Sequence, residues 1–328
     1  MPELPVLSHT FETLDLLTSA HPLLESEFFQ TQAGSFQGEV LGIALPNGYF
    51  WRSRWNLGGP GWANLKEDYF MVGLPTNPHR DFWHGSEIGT QTVATTTWQL
   101  GLQHRCLEAH ESLAWMIRWA RIQEICENLG ICIPKTLASQ PIHSVPEMCL
   151  RLYRKDIQEF ISRAPQPNGL SRSLAEWFEE FLVYRLMACI VPVRDVERPV
   201  RTSATIAKKI ARHLRQRCQG ALSMSELCAE LHLHERTLRQ HFTSHFGVSP
   251  QTYHQNLRLN LLRQQLLVCP DSKGQVSHSA ARLGFWHMGR MGQQYRKLFG
   301  ETPTETLARK ISGDFHQFWQ SFYDGSNP

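Results

Sequence analysis

The sequence predicts an α+β chain in two parts, a β-rich N-terminal domain with helices behind it and an all-helical C-terminal domain. Three observations predict this. Residues 30–103 hold short segments such as FQGEVLGIAL, YFWRSRWNLG and DYFMVGLP, often alternating in polarity and separated by Gly, Pro and Asn. From residue 104 the apolar spacing becomes helical, as in CLEAHESLAWMIRWARIQEICENLG. In the last third one pattern occurs twice, 53 residues apart: Leu238, Phe242, Phe246-Gly247, Pro250 and then Met291, Tyr295, Phe299-Gly300, Pro303. At 328 residues the chain has room for two cores.

In chain order, the strand-like segments come first. The helical run that starts near residue 104 is expected to close at Gly130, a plausible C-cap, with its first turn open to either helix or strand. VPEMCLRLYRKDIQEFISRA opens a second helix with Pro146 in its first turn, and Ser171 or Ser173 caps a third over SLAEWFEEFLVYRLMACI. The aperiodic stretch VPVRDVERPVRTS, with Pro192 and Pro199, marks the domain junction. The expected domains are therefore 1–195, a linker at 196–202, a helical domain at 203–312 and a tail at 313–328.

Each copy of the repeat places apolar residues at i, i+4 and i+8, one face of a helix. A Gly follows, free to adopt the left-handed conformation that ends helices, and then Ser249 or Thr302 caps the next helix with Pro at its first turn. A shorter helix precedes each copy. In the first, Ser225 is the expected N-cap, Leu227, Ala229 and Leu231 face inward, and His232 occupies the turn. In the second, Ser277 caps, Ala280, Ala281 and Leu283 are buried, and Gly284 turns the chain. Two helices crossing steeply need a small residue, assigned to Ala229 and Ala281. Each copy is thus a helix-turn-helix.

This layout resembles the DNA-binding domain of AraC/XylS-type transcription regulators, over roughly Ser203 to Lys310. The string LGFWHMGRMGQQYRKLFGETPTETL is the most specific part, and it is most similar to the branch that includes the ethanolamine-utilisation regulators. The resemblance implies an N-terminal sensor domain that binds a small effector and dimerises. It also implies double-stranded promoter DNA as partner and activation through contact with RNA polymerase. A repressor, or a regulator answering a protein partner without any effector, is the alternative. Charge agrees with DNA as partner. Residues 201–310 carry 17 Lys and Arg against 6 Asp and Glu, whereas residues 1–200 carry 16 against 22.

With Leu238 and Phe242 inward, Arg236, Arg239 and Gln240 face outward on the first reading helix; His287, Arg290 and Gln293 do so on the second. Arg suits guanine and Gln suits adenine, so these six are the expected base readers, with Arg239 also suited to phosphate. Arg296, Lys297, Ser249 and Thr302 are the expected phosphate contacts. Between the units, SPQTYHQNLRLNLLRQQLLV forms a connecting helix with Leu257, Leu261, Leu262 and Leu266 as its apolar stripe, and Arg258 and Arg263 are placed at the surface or facing phosphate. Phe285 belongs to the core, and Trp286 is expected to pack under the second reading helix.

Other function classes find less support. Eight cysteines without CxxC spacing argue for reduced thiols in a cytoplasm. No apolar run reaches the roughly 18 residues of a membrane span, and the first residues lack the plan of a secretion signal. His79, His84 and Glu87 lie close together but not in the cupin order of His-x-His followed by Glu. His104 and His110, placed on a helix and six apart, would not share a face. No metal, cofactor, Ser-His-Asp set or other catalytic constellation is therefore expected, and the chain is expected not to be an enzyme. Trp51, Trp55, Trp62, Phe70, Phe82 and Trp83 make the front domain rich in rings that serve either a core or an apolar pocket.

Overall fold

The computed structural model describes residues 3–14, 23–76, 81–164, 169–190, 202–218, 222–269 and 274–309. The expected linker (apart from Thr202), the tail at 313–328 and His79 lie outside the described residues. Two antiparallel sheets build the front domain. One holds β1 (Val6–Phe11), β3 (Gly38–Leu45), β4 (Gly48–Trp55), β11 (His110–Arg118), β6 (Tyr69–Pro75), β9 (Thr92–Thr97) and β12 (Ile142–Ser144), in that spatial order. The other runs β2 (Leu24–Phe28), β5 (Pro60–Leu65), β10 (Leu102–Cys106), β7 (Asp81–Trp83) and β8 (Ser86–Ile88).

The strands thus run from Val6 to Arg118, wider than the expected 30–103, and a short edge strand follows at Ile142–Ser144. The first half of the helix expected from residue 104 is two strands; helix α1 covers only Trp119–Asn128, and Gly130 follows it with φ +65° as expected. The reason lies in burial. Leu113, Ala114, Trp115, Met116 and Ile117 are each 2% exposed or less, because β11 is central and covered on both faces. A strand of that kind is a continuous apolar run, which periodicity cannot separate from a buried helix.

Helices α2 (Glu147–Arg163) and α3 (Arg172–Cys189) pack on the larger sheet, the latter capped by Ser171 as expected. Phe178 of α3 meets Phe50 edge-on, and buried Glu179 accepts from the Asn47 backbone and from Arg121 Nε at 2.8 Å. Among the described residues no helix is long and apolar enough to cross a membrane.

The C-terminal region is all helical. Helix α4 (Thr202–Gln216) leads into α5 (Met224–Leu231), α6 (Glu235–Phe246) and the connecting α7 (Pro250–Val268). The second unit follows as α8 (Gln275–Arg282), α9 (Met288–Phe299) and α10 (Pro303–Ala308). Each unit has its own core, around Leu238, Phe242 and Tyr253 in the first and Met291, Tyr295 and Phe299 in the second.

Local details of the short helices differ from expectation. The N-cap of α5 is Ser223, whose side chain accepts from Glu226 N, and that of α8 is Gly274. Ser225 and Ser277 fall inside their helices instead. Ala229 and Ala281 are exposed; the small residues at the crossings are half-buried Cys228 and fully buried Ala280, one position earlier. A step of one position along a helix turns the side chain by about 100°.

A segment of the front domain runs between the two units. Phe29 is buried in the first unit's core, edge-on to Tyr253. Gln30 bonds Asn260 on α7, its side-chain amide and the Gly34 amide both donate to Leu298 O on α9, and Ser35 sits against Gly300. Residues 29–35 therefore touch both units and the helix that joins them.

Candidate nucleic-acid interface and an enclosed cavity

The reading helices owe their orientation to the repeated apolar face. On α6, Leu238, Phe242, His245 and Phe246 are buried; on α9, Met291, Tyr295, Leu298 and Phe299 are. Both helices end at a glycine with φ near +75°, Gly247 and Gly300, as the repeat predicts. A side chain at either glycine would also strike the front domain. A Cβ on Gly247 would meet Arg105 Nη1 at 2.6 Å, and one on Gly300 would meet Ser35 Oγ at 2.9 Å.

Opposite the buried faces, Arg236 and Gln240 are exposed on α6, and Arg290, Gln293, Arg296 and Lys297 on α9, with His287 at its N-cap. Arg239 is half-buried and held: it pairs with Glu235 at 2.7 Å and donates to Gln251 at 2.9 Å. Ser249 Oγ accepts from Thr252 N as the cap of α7, and Thr302 forms a full capping box with Glu305. Those oxygens are engaged in folding.

Three further positions depart from expectation. Trp286 is 78% exposed and does not pack under α9; the turn before the helix carries it outward, while Phe285 beside it is core. Arg258 and Arg263 are buried rather than on the surface. Arg258 donates to Leu283 O and lies over the Phe285 ring, and Arg263 pairs with Glu301 at 2.9 Å and covers Phe299. α7 is buried along most of its length between the two units, so its arginines find partners inside. With 19 residues it is about 28 Å long at 1.5 Å per residue, close to one turn of B-DNA at about 34 Å.

The front domain encloses a cavity between its sheets, with about 830 Å³ of empty space including its mouth. Trp51, Trp55 and Trp83 line it with Phe28 and Met71. The other rings serve elsewhere. Phe70 packs against Trp115 and Trp119, while Trp62 and Phe82 carry the guanidinium groups of Arg215 and Arg105.

Polar groups enter this cavity from β7, β10 and β11. His104 on β10 and His110 on β11 face each other with ring centres 5.0 Å apart, since β10 and β11 belong to opposite sheets. Asp81 Oδ2 lies 2.7 Å from His110 Nδ1, and His110 Nε2 lies 2.8 Å from Ser112 Oγ. Burial alone would raise the Asp81 carboxyl, but the charge and hydrogen bond of His110, with His104 close by, outweigh it and hold Asp81 below the usual carboxylate range. Burial lowers His110 against the pull of the Asp81 charge and hydrogen bond. Burial pushes the nearby Cys106 thiol up to about 12.

The order Asp–His–Ser is that of acyl-transfer enzymes. Here Ser112 sits in the middle of a sheet, paired on one side with Ser53 and on the other with Pro75. The ladders on both sides of β11 use its backbone N–H groups, so this wall offers no pair of donors for an oxyanion. The chain of hydrogen bonds is a polar wall.

Residues 227–309 match the family described as a helix-turn-helix domain. Over 103 residues the chain is 28% identical to the XylDLEGF operon transcriptional activator 3 of Pseudomonas putida, covering 31% of each chain. The chain carries an AraC/XylS-type helix-turn-helix domain. Over 88 residues it is 32% identical to the regulatory protein HrpB of Ralstonia nicotianae, covering 27% of this chain and 18% of that one. Among solved structures, the AraC-like transcriptional activator CuxR aligns over 78% of this chain and 94% of its own, at 14% identity and a TM-score of 0.40. The match to the Pseudomonas activator spans about a third of that protein's length.

Proposed function

We propose that this protein is a sequence-specific transcription regulator that reads two successive major grooves of promoter DNA with α6 and α9. The observation that carries the reading is the pair of helices with matching buried faces and matching glycine ends. Each presents Arg and Gln outward, and one buried helix of nearly a DNA turn in length joins them. Arg236, Gln240, Arg290 and Gln293 are the base readers, with His287 beside them at the start of α9. Arg296 and Lys297, and Arg239 through its Glu235 pairing, hold phosphates and register. Exposed Trp286 precedes α9 and lies against the sugar-phosphate backbone. Ser249 and Thr302 support the interface as caps.

The front domain supplies the regulation. Its aromatic cavity takes a small effector, and the segment 29–35 carries the state of the front domain to both reading units. The protein acts in the cytoplasm as an activator that contacts RNA polymerase, and it dimerises through the front domain. Likeness to named activators supports that direction. The test is selection of bound sequences from random duplex DNA by the full chain at near-physiological salt. The expected motif has two blocks about ten base pairs apart, one per reading helix. Binding without a motif that vanishes as salt rises would reduce the protein to a nonspecific binder.

A further inference from the structure

At one end of the cavity, two buried polar atoms have no hydrogen-bond partner: Asp81 Oδ1 and His104 Nε2, in residues 2% and 6% exposed. They face each other at 3.8 Å, too far apart for a hydrogen bond. Unsatisfied buried atoms are costly, so two converging on one point call for a third party. Around that point stand further donors. Asp81 Oδ, Cys106 Sγ and His110 Nδ1 or Nε2 all lie within 4.8 Å of one another.

We propose that this cluster is a binding site for a divalent transition-metal ion of the zinc type, held by Asp81, His104, Cys106 and His110. Strand pairing explains the convergence. Asp81 on β7 is the register partner of Cys106 on β10, and His104 is two residues before Cys106, so all three stand on one face of the smaller sheet. His110 reaches the same point from the larger sheet. The ion would tie the two sheets together.

The donor set fits the ion in number, type and charge. Zinc takes four ligands in a tetrahedron, with bonds of about 2.0–2.3 Å, which puts neighbouring donors about 3.4 Å apart. For Asp81, Cys106 and His110 the present separations need shifts of less than about 1.5 Å to reach that spacing, and His104 Nε2 already lies 3.8 Å from Asp81 Oδ1. Thiolate and imidazole together select zinc and its neighbours over magnesium or calcium. One carboxylate and one thiolate cancel the two positive charges, so the loaded site is neutral inside an apolar cavity. Binding releases the Cys106 proton to solvent. Once His110 Nδ1 turns from Asp81 to the ion, Nε2 carries the proton and donates to Ser112, the outer contact that orients a metal-bound imidazole.

The inference rests on the reading of the cavity as an effector site and names the ligand class. Its test reads the metal directly, so its failure leaves the DNA reading standing. Full-length protein freed of metal by chelator is titrated with Co²⁺ and then with Zn²⁺. The expected result is one Co²⁺ per chain, with the visible bands of a tetrahedral centre and a near-ultraviolet thiolate-to-cobalt band, all displaced by Zn²⁺. Cys106→Ser should abolish the thiolate band and weaken binding at least tenfold, and His104→Gln should weaken it while keeping the band. Cys132→Ser, at an exposed cysteine, should change neither. Wild-type protein that shows no thiolate band, or a band that survives Cys106→Ser, overturns the proposal. Circular dichroism without metal establishes that each variant is folded.

Discussion

Gln30 and Asn260 hold each other by two reciprocal hydrogen bonds across the boundary between the front domain and the reading units. Gln30 N donates to Asn260 Oδ1 at 3.1 Å, and Asn260 Nδ2 donates to Gln30 O at 3.0 Å. Both residues are nearly inaccessible. Asn260 lies on α7, the helix that joins α6 to α9, so this pair ties the front domain to the spacing of those two helices.

Asn260→Ala leaves both backbone groups of Gln30 unpaired in a buried interface. The expected cost is about 1–3 kcal/mol of stability, because an unsatisfied buried group loses its water without replacement. Denaturant unfolding, followed separately through the front-domain tryptophans and through helix content, checks it. Wild type should unfold in one transition and Asn260→Ala in two, as the domains uncouple. An unchanged single transition at the wild-type midpoint would show that the pair does not couple them.

Arg290→Ala tests base reading. Arg290 is exposed on the first turns of α9, two residues after the helix begins. Loss of a two-pronged contact to guanine should cost about 1–3 kcal/mol on the selected site and relax preference at one position. Lys297→Ala, near the end of the same helix, should weaken all sequences alike and lower the salt dependence by about one unit of slope. Affinities on the selected site and on single-base variants, each at several salt concentrations, separate the two. A uniform loss for Arg290→Ala would make it a phosphate contact.

The repeat made the C-terminal half legible because its faces, glycines and caps are all local. Leu238, Phe242, Gly247 and Pro250 state a helix, its end and the next start within a dozen residues. What the sequence hid is non-local. Arg263 has no partner within a helical turn; Glu301, which it meets, is 38 positions later. Asp81, His104, Cys106 and His110 come together only once β7 pairs with β10 and the two sheets face each other. The continuous apolar run of β11, indistinguishable by periodicity from a buried helix, conceals that cluster. A helix over 104–130 sends His104 and His110 to different faces, whereas strands on opposing sheets bring them together.

The Arg263–Glu301 pair gives a prediction with a sign that distinguishes pairing from packing. Arg263→Met removes the cation while Glu301 stays buried, with only half-exposed Arg309 in reach. About 3 kcal/mol is the expected loss, at the low end for a broken buried pair because Arg309 remains. Arg263→Met with Glu301→Leu should be more stable than Arg263→Met alone, since no charge is then stranded. Urea midpoints of the two single variants and the double variant complete the cycle. A double variant that is the least stable of the three would mean that the pair contributes more than its removal saves.

Acid sensitivity should come in part from His143. It stands on β12 at the edge of the larger sheet, 6% exposed, with Nε2 3.0 Å from Thr95 Oγ1. Burial lowers its pKa to about 4, against an ordinary value of 6.5. The folded protein therefore keeps His143 neutral over a range where the unfolded chain has already taken up a proton. Stability from this residue is complete above pH 6.5, falls as pH drops through the window from 6.5 to 4, and levels off below it. The whole step amounts to about 3 kcal/mol at 1.36 kcal/mol per pKa unit. His143→Gln has nothing to titrate, so the gap between its stability and that of wild type should shift in the variant's favour by about that amount from pH 7 to pH 4. Parallel unfolding curves of the two proteins across that range would show instead that His143 is already protonated in the fold.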